Sequence, residues 1–211
     1  MQAVIFDFDG TIVDSLGAVI RVVEAITKRE VPFSQSEIED LQHKDPLEIA
    51  LELGVQKWKI PWLLFKGRRM FRDHMGDIQI HDGLPEVIKA LQAGGVPLYV
   101  LSSNSKSNVE TYLRHHKLDG YFRGIYGGAG ILGKSHKLHL LFKDENVEAT
   151  GSWYVGDETR DIISAHAVGL KIVAVSWGYN SRRALLRKKP DVLADKPSEI
   201  VRALQKDGLL Q

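Results

Sequence analysis

The chain has 211 residues, enough for one large domain or for one domain with an insertion. Its 28 basic and 27 acidic residues leave a formal net charge of +1, so no basic surface argues for nucleic acid or an anionic membrane as a partner. The absence of cysteine excludes disulfides, thiolate catalysis and thiolate metal sites. Because it has no apolar run of about 18 residues and no signal-peptide pattern, we expect a cytoplasmic protein that does not span a membrane.

The first predicted element is a short buried strand that ends in carboxylates. Residues 3–6 are apolar and rich in strand-forming types, and the sequence Asp-Phe-Asp-Gly-Thr follows at 7–11. Because side chains alternate along a strand, we expect Asp7 and Asp9 to point to one side and Phe8 to the other. Two close carboxylates need a shared proton or a cation, for which Mg²⁺ is the simplest choice. The alternative is an ordinary Asp-Gly turn whose aspartates bind backbone amides.

The next segment is predicted to be helical throughout. Asp14 or Ser15 can cap its first helix, and the pattern predicts helices at about 16–31, 34–41, 46–53 and 56–74. On the fourth, helical spacing suggests that three aromatic residues fill a small core: Trp58, Trp62 and Phe65. We interpret residues 15–79 as an all-helical cap domain inserted into a core domain of residues 1–14 and 80–211.

From residue 80 onward, predicted strands alternate with helices. Four further strands are expected at 97–102, 123–127, 152–156 and 171–176. The helices between and after them are expected at 84–93, 106–116, 135–145, 159–168 and 198–206. This alternation predicts an α/β fold, with a Rossmann-like core of five mostly parallel strands covered by helices on both faces.

Polar residues follow two of these strands. Ser-Ser-Asn at 102–104 places hydroxyl and amide groups where they could hold a phosphate near a helix N-terminus, although such a run is also an ordinary helix cap. Asp-Glu-Thr-Arg-Asp at 157–161 suits a metal ion, and it too could be only a cap. Ligands of open parallel sheets bind beyond the carboxyl ends of the strands, which favours a functional site here.

The segment before Lys134 fits a different kind of site. Residues 128–135 match the glycine-rich phosphate loop of nucleotide hydrolases, with a possible strand before the loop and a helix after it. A phosphate loop, however, leaves the carboxylates at residues 7–11 and the helical insertion unexplained.

Taken in order, four motifs resemble those of the haloacid dehalogenase superfamily of phosphohydrolases: residues 7–11, the serines at 102–104, Lys134 and the acidic group at 157–161. The resemblance covers nearly the whole chain, and segments at 165–169 and 175–179 are similar to phosphoglycolate phosphatase-like members. Two positions depart from the usual pattern, because Ser135 replaces a proline often seen after the lysine and Glu158 replaces a small residue.

The resemblance implies phosphoryl transfer in two steps. Asp7 is expected to attack phosphorus, while Asp9 donates a proton to the leaving group and later accepts one from water. Mg²⁺ would be bound by Asp7, the backbone carbonyl of Asp9 and Asp157, with Glu158 and Asp161 in supporting roles. The residues expected to bind phosphate are Gly10, Thr11, Ser103, Asn104 and Lys134, with Ser102 as the alternative to Ser103.

The expected substrate is a small phosphorylated metabolite, a monoester resembling phosphoglycolate. Lys44, in a cap loop, could contact it, or could be an ordinary solvated lysine. We expect a monomer or homodimer that does not bind nucleic acid. A phosphomutase of the same superfamily remains an alternative, and a dehalogenase is disfavoured because it has no use for a second aspartate. A phosphorylated receiver-type switch is a non-enzymatic alternative, but such domains are shorter and lack the helical insertion.

Overall fold

We analysed the protein in a computed structural model. It describes residues 1–44, 46–56, 58, 62, 65–66, 69, 72–73, 75–129 and 133–210. Within these ranges, no helix is long and apolar enough to cross a membrane.

The described strands form two sheets. They are Val4–Phe6 (β1), Val13–Asp14 (β2), Gln79–Ile80 (β3), Leu98–Leu101 (β4), Gly124–Tyr126 (β5), Trp153–Gly156 (β6), Lys171–Val175 (β7) and Val192–Ala194 (β8). Six of them form a parallel sheet in the order β5-β4-β1-β6-β7-β8, and β2 pairs with β3 antiparallel. The predicted α/β class is therefore confirmed, with one more core strand than predicted.

Helices connect and cover these strands. Those with defined bounds are Leu16–Thr27 (α1), Gln35–Gln42 (α2), Pro46–Glu52 (α3), Leu84–Ala93 (α4), Lys106–His115 (α5), Lys134–Glu145 (α6), Thr159–Ala167 (α7), Arg182–Arg187 (α8) and Ser198–Lys206 (α9). Short 3₁₀ turns lie at Met75–Asp77 and Asp119–Tyr121.

Each face of the large sheet has its own hydrophobic core because side chains alternate along the strands. In β1, Val4 and Phe6 pack into one core together with residues of α4, α5 and α9. Ile5 packs into the other core, with residues of α6, α7 and α8. Phe8 belongs to the first core, as the predicted alternation requires.

Strand order positions the candidate site. The chain passes from β1 to β4 and β5 on one side, then crosses β1 to build β6, β7 and β8 on the other. The carboxyl ends of β4 and β6 therefore flank the end of β1. In open α/β sheets such a reversal leaves a crevice in which ligands bind.

The segment between β2 and β3 is helical wherever regular structure is described. The two strands pair Asp14 with Gln79, so the ends of this segment lie side by side. Ser34 caps α2, since its side chain accepts a hydrogen bond from the Glu37 amide. Ser15 does not cap α1 through its side chain, because its hydroxyl bonds instead to the Tyr179 hydroxyl at 2.6 Å.

The predicted fourth helix, 56–74, lies partly outside the described residues, and its predicted aromatic core is wrong. Trp58, Trp62 and Phe65 are 74%, 54% and 66% exposed. Helical spacing defines a shared face but not what covers it, and this face is on the surface. The ammonium of Lys66 lies 5.3 Å from the centre of the Trp62 ring.

The unpredicted elements include the β2–β3 ribbon, α8, β8 and the two short 3₁₀ turns. The ribbon strands have two residues each and β8 has three, which is too short for alternation to be visible in the sequence. Helix α8 has six residues, fewer than two turns. Their formation depends on neighbours that are distant in the chain, as the parallel pairing of β8 with β7 shows.

Candidate active site

Asp7 follows β1 directly and lies at the carboxyl edge of the sheet. Its amide donates to the Val155 carbonyl at 2.8 Å, which extends the pairing of β1 with β6 by one residue. Its side chain is almost fully buried, and Oδ1 accepts a hydrogen bond from the Phe8 amide at 2.8 Å. These contacts hold the carboxylate in one orientation.

Lys134, the first residue of α6, bonds to the other oxygen of Asp7. Its Nζ lies 2.5 Å from Oδ2 of Asp7, and it also donates to Oδ1 of Asp161. All three side chains are buried. Burial alone would lower the pKa of Lys134, but Asp161 and Asp7 raise it well above its ordinary value. The lysine is therefore a fixed positive charge beside Asp7.

Asp9 is held by residues that follow β4. Its carboxylate accepts hydrogen bonds from Ser102 Oγ at 3.3 Å and from Asn104 Nδ2 at 3.4 and 3.5 Å. Burial, together with the neighbouring charge of Asp7, raises the pKa of Asp9 to about 7. A carboxyl group with this pKa exchanges protons readily near neutral pH, as a general acid and base must.

Asp157 follows β6 and is surrounded by the turn after β1. Thr11 Oγ1 donates to its Oδ1 at 2.6 Å, and the amide of Tyr179 donates to its Oδ2 at 2.7 Å. Gly10, at φ +79°, and Gly178 both leave room for it, since a Cβ at either position would lie 2.2 Å from Oδ2. The two glycines therefore allow this carboxylate to lie against the backbone.

Glu158 brings a further carboxylate to the same place. It is 1% exposed; one oxygen accepts from Arg160, and within the described residues Oε2 has no hydrogen-bond partner. One oxygen each from Asp7, Glu158 and Asp161 lie within 4.8 Å of one another. Burial, followed by the charges of Glu158 and Asp7, raises the pKa of Asp157 well above its ordinary value. The site thus concentrates acidic groups that require protons or a cation.

The residues predicted to bind phosphate occupy different positions. The amides of Gly10 and Thr11 donate within their own turn, to the carbonyls of Val13 and Phe8 at 2.9 and 3.3 Å. These two residues shape the turn, and their contact with phosphate stays a prediction. Ser103 is half-buried at the end of β4, beside the residues that bind Asp9.

The structure describes the surroundings of Lys44 and part of the possible phosphate loop. Lys44 bonds to Glu52 at 2.5 Å on the surface of the helical segment, so a role in substrate binding requires this ion pair to open. The possible phosphate loop, 128–135, includes residues 130–132, which lie outside the described residues. Its lysine, Lys134, contacts carboxylates of the β1 and β6 strand ends.

Residues 177–181, which follow β7 and contact the site, had no role predicted from the sequence. Trp177 Nε1 donates to the carbonyl of Thr11 at 3.1 Å. The Tyr179 hydroxyl bonds to Ser15, where α1 begins. The similarity of 175–179 to known relatives was the available signal, but it did not show what these residues touch.

Comparison with known proteins identifies the family. Residues 4–175 match the family described as haloacid dehalogenase-like hydrolase. The chain belongs to this family. A phosphoglycolate phosphatase from Synechococcus elongatus is 35% identical to it over 206 residues, which are 97% of each chain. The predicted membership of this family is therefore confirmed, and the protein is a hydrolase.

A further relative and a solved structure with a similar fold have different names. A 5'-nucleotidase from Pseudomonas aeruginosa is 26% identical over 195 residues, covering 89% of this chain and 88% of that one. A predicted phosphatase from Clostridium acetobutylicum has a crystal structure with a TM-score of 0.82 and 20% identity, covering 97% of this chain and 98% of that one. The structural match shows that the fold is shared along nearly the full chain.

Proposed function

We propose that the protein is a Mg²⁺-dependent phosphatase that hydrolyses a small phosphate monoester through a phosphorylated aspartate. The observation that carries this proposal is the position of Asp7, which is buried beside the Lys134 ammonium and two residues from Asp9. This arrangement provides a nucleophile, a fixed positive charge and a proton carrier at one strand end.

Asp7 is the proposed nucleophile. The bonds from Phe8 and Lys134 orient its two oxygens, which limits the freedom that it must lose to attack phosphorus. The Lys134 charge stabilises the negative charge that gathers on the phosphoryl oxygens during transfer. Ser103, near the end of β4, is the proposed neutral phosphate ligand.

Asp9 is the proposed general acid and base. Its pKa of about 7 allows it to protonate the departing alkoxide and then to accept a proton from the water that hydrolyses the aspartyl phosphate. Ser102 and Asn104 fix its carboxylate for both steps.

The residues at this edge of the sheet fit a magnesium ion. The buried carboxylates are hard oxygen donors, and the Glu158 oxygen that has no partner in the described part of the chain is available to a hydrogen-bond donor or a cation. Asp7, the carbonyl of Asp9 and Asp157 would hold the ion, with Glu158 and Asp161 beside them. When bound, it would neutralise part of the phosphate charge.

The proposed substrate is phosphoglycolate or a similar small anionic ester. Support comes from the relative of that name, which is 35% identical and matches the chain almost from end to end. Lys44, in the helical cap, is proposed to contact the carboxylate of phosphoglycolate or the corresponding anionic group of a similar ester. A phosphomutase would use the same aspartates but would return the phosphoryl group to an organic product.

The test is release of inorganic phosphate from a panel of phosphate esters, namely phosphoglycolate, sugar phosphates and nucleoside monophosphates, and from the anhydride pyrophosphate. We expect Mg²⁺-dependent turnover that is fastest with a small monoester, with Asp7→Asn as the inactive control. Isomerised ester without free phosphate would instead indicate a mutase. Absence of turnover with every ester would contradict the proposal.

A further inference from the structure

Asn180 lies between the acidic site and the helical segment. It is buried, with 3% of its surface exposed. Its amide donates to the carbonyl of Asp157 at 3.3 Å, and its Oδ1 accepts a hydrogen bond from the Thr159 amide at 2.8 Å. Two bonds therefore connect Asn180 to the turn between β6 and α7.

The other end of the same side chain contacts the helical segment. Asn180 Nδ2 donates to the carbonyl oxygens of Gln42 and Lys44, each at 3.0 Å. A carboxamide has two N–H donors, and here two carbonyls face them, so the donor capacity matches the acceptors. One buried side chain thus connects the acidic turn to segment 42–44.

Other hydrogen bonds connect segment 42–44 to residues 178–181. The side chains that form them do not reach the turn between β6 and α7. The amide of Ser181 donates to the carbonyl of Gln42 at 2.9 Å, and its hydroxyl bonds to His43 Nδ1. Gln42 Nε2 donates to the Gly178 carbonyl at 3.3 Å. These contacts show that segment 42–44 rests on residues 178–181, and Asn180 supplies the side chain that continues to Thr159.

We propose that Asn180 is a positioning residue that seats segment 42–44 over the active site and so determines which ester is accepted. This inference rests on the proposed phosphatase function. Because Asn180 holds the main chain of Lys44, its loss would displace the cap residue proposed to contact substrate. The hydrogen bonds described above for Asp7, Asp9 and Lys134 do not involve Asn180, so the reacting groups would keep their positions.

Two substitutions distinguish the contribution of Asn180 Oδ1, which bonds to Thr159, from that of Nδ2, which bonds to Gln42 and Lys44. Asn180→Asp keeps its size and the acceptor for the Thr159 amide, but places an oxygen against two carbonyls. Asn180→Ala removes both the acceptor Oδ1 and the donor Nδ2 without adding a charge. His43→Ala is the matched control, because it removes a contact between the same segments that does not reach Thr159.

Hydrogen–deuterium exchange without substrate tests the structural part. In both Asn180 variants the amides of His43, Lys44 and Ser181 should exchange about tenfold faster, the size expected for losing one or two hydrogen bonds. The Thr159 amide should remain protected in Asn180→Asp and lose protection in Asn180→Ala. Unchanged exchange at Lys44 and Ser181 in both variants would overturn the inference, and this result is independent of whether any ester is hydrolysed.

Kinetics test the effect on specificity. The ratio of kcat/KM for phosphoglycolate to that for 4-nitrophenyl phosphate should fall about tenfold in both Asn180 variants, mainly through KM for phosphoglycolate. It should fall less in His43→Ala, which leaves the bonds from Asn180 to Gln42 and Lys44 in place. If the panel reveals a better ester, it replaces phosphoglycolate in this ratio. An equal loss with both esters would show that Asn180 only supports the fold and would overturn the proposal. Failure of the wild type on all esters would instead refute the phosphatase function.

Discussion

Charged groups are held differently at the sheet edge and in the helical segment. At the sheet edge Asp7, Lys134 and Asp161 form ion pairs with at most 3% of each side chain exposed. In the helical segment, the pairs Arg29–Glu37 and Lys44–Glu52 have exposures between 31% and 52%. A buried pair is stable only in one geometry, whereas surface pairs contribute little and exchange partners easily. We infer that the sheet edge fixes the reaction and that the helical segment can adapt to the substrate.

The largest expected effect is at the sheet edge. Asp7→Asn keeps the size of the side chain but removes the proposed nucleophile, so phosphate release should fall by a factor on the order of 10⁴ or more. Circular dichroism should show an unchanged fold. Activity within a few-fold of the wild type would show that Asp7 is not the nucleophile.

The second prediction compares two lysines directly. Lys134→Met leaves two buried carboxylates without their cation and should lower the free energy of unfolding by about 3–5 kcal/mol. Lys44→Met breaks an exposed pair that solvent and salt screen, so its free energy of unfolding should stay close to that of the wild type. Denaturant unfolding of both variants measures the difference. Similar losses of stability in the two variants would contradict the inference that the ion pairs at the sheet edge are more important for stability than those of the helical segment.

The third prediction concerns the carboxylates that are proposed to bind Mg²⁺. Asp157→Ala should raise the Mg²⁺ concentration needed for half-maximal activity by roughly 10- to 100-fold, because Mg²⁺ tolerates the loss of a ligand poorly. Glu158→Gln should raise it less, since Glu158 is proposed only as a supporting group. The reverse order would make Glu158 the principal ligand, in agreement with its position in the group formed with Asp7 and Asp161.

The fourth prediction uses the raised pKa of Asp9 in metal-free protein. Its pKa is about 7 when folded against 3.8 ordinarily, so the folded state binds more protons between these values and stability falls as pH rises through this range. Asp9→Asn removes this cost. It should therefore stabilise the protein by about 2 kcal/mol more at pH 8 than at pH 5. If Asp9→Asn changed the melting temperature equally at pH 5 and pH 8, the pKa of Asp9 would not be raised in the folded protein.

The sequence predicted those parts of the site that are local in the chain. Residues 7–11 and 157–161 are contiguous, and each follows an apolar run that reads as a buried strand. Contacts between distant residues could not be predicted, such as Thr11 with Asp157, 146 positions apart, or Asn180 with Gln42. The role of Asp161 as a partner of Lys134 also depends on the packing of α6 against α7, which no local pattern describes.

In the helical segment, the sequence predicted where a helix lies but not which of its side chains are buried. The helix predicted at 34–41 agrees with α2, and its capping box at Ser34 involves only residues that are close in the sequence. The exposed face of Trp58, Trp62 and Phe65 was misassigned because periodicity alone cannot distinguish a face that packs from one that does not.

The most direct test of the account is to trap the phosphoryl group on Asp7. Asp9→Asn should slow hydrolysis of the intermediate by about 10² to 10⁴, while 4-nitrophenyl phosphate, whose leaving group needs little protonation, should still phosphorylate the enzyme. Rapid quenching and peptide mass spectrometry should then find a burst of nitrophenolate and one phosphoryl group per chain, located on Asp7. Full turnover loss with no burst and no phosphorylated peptide, in a variant that remains folded and binds Mg²⁺, would contradict the division of roles between Asp7 and Asp9.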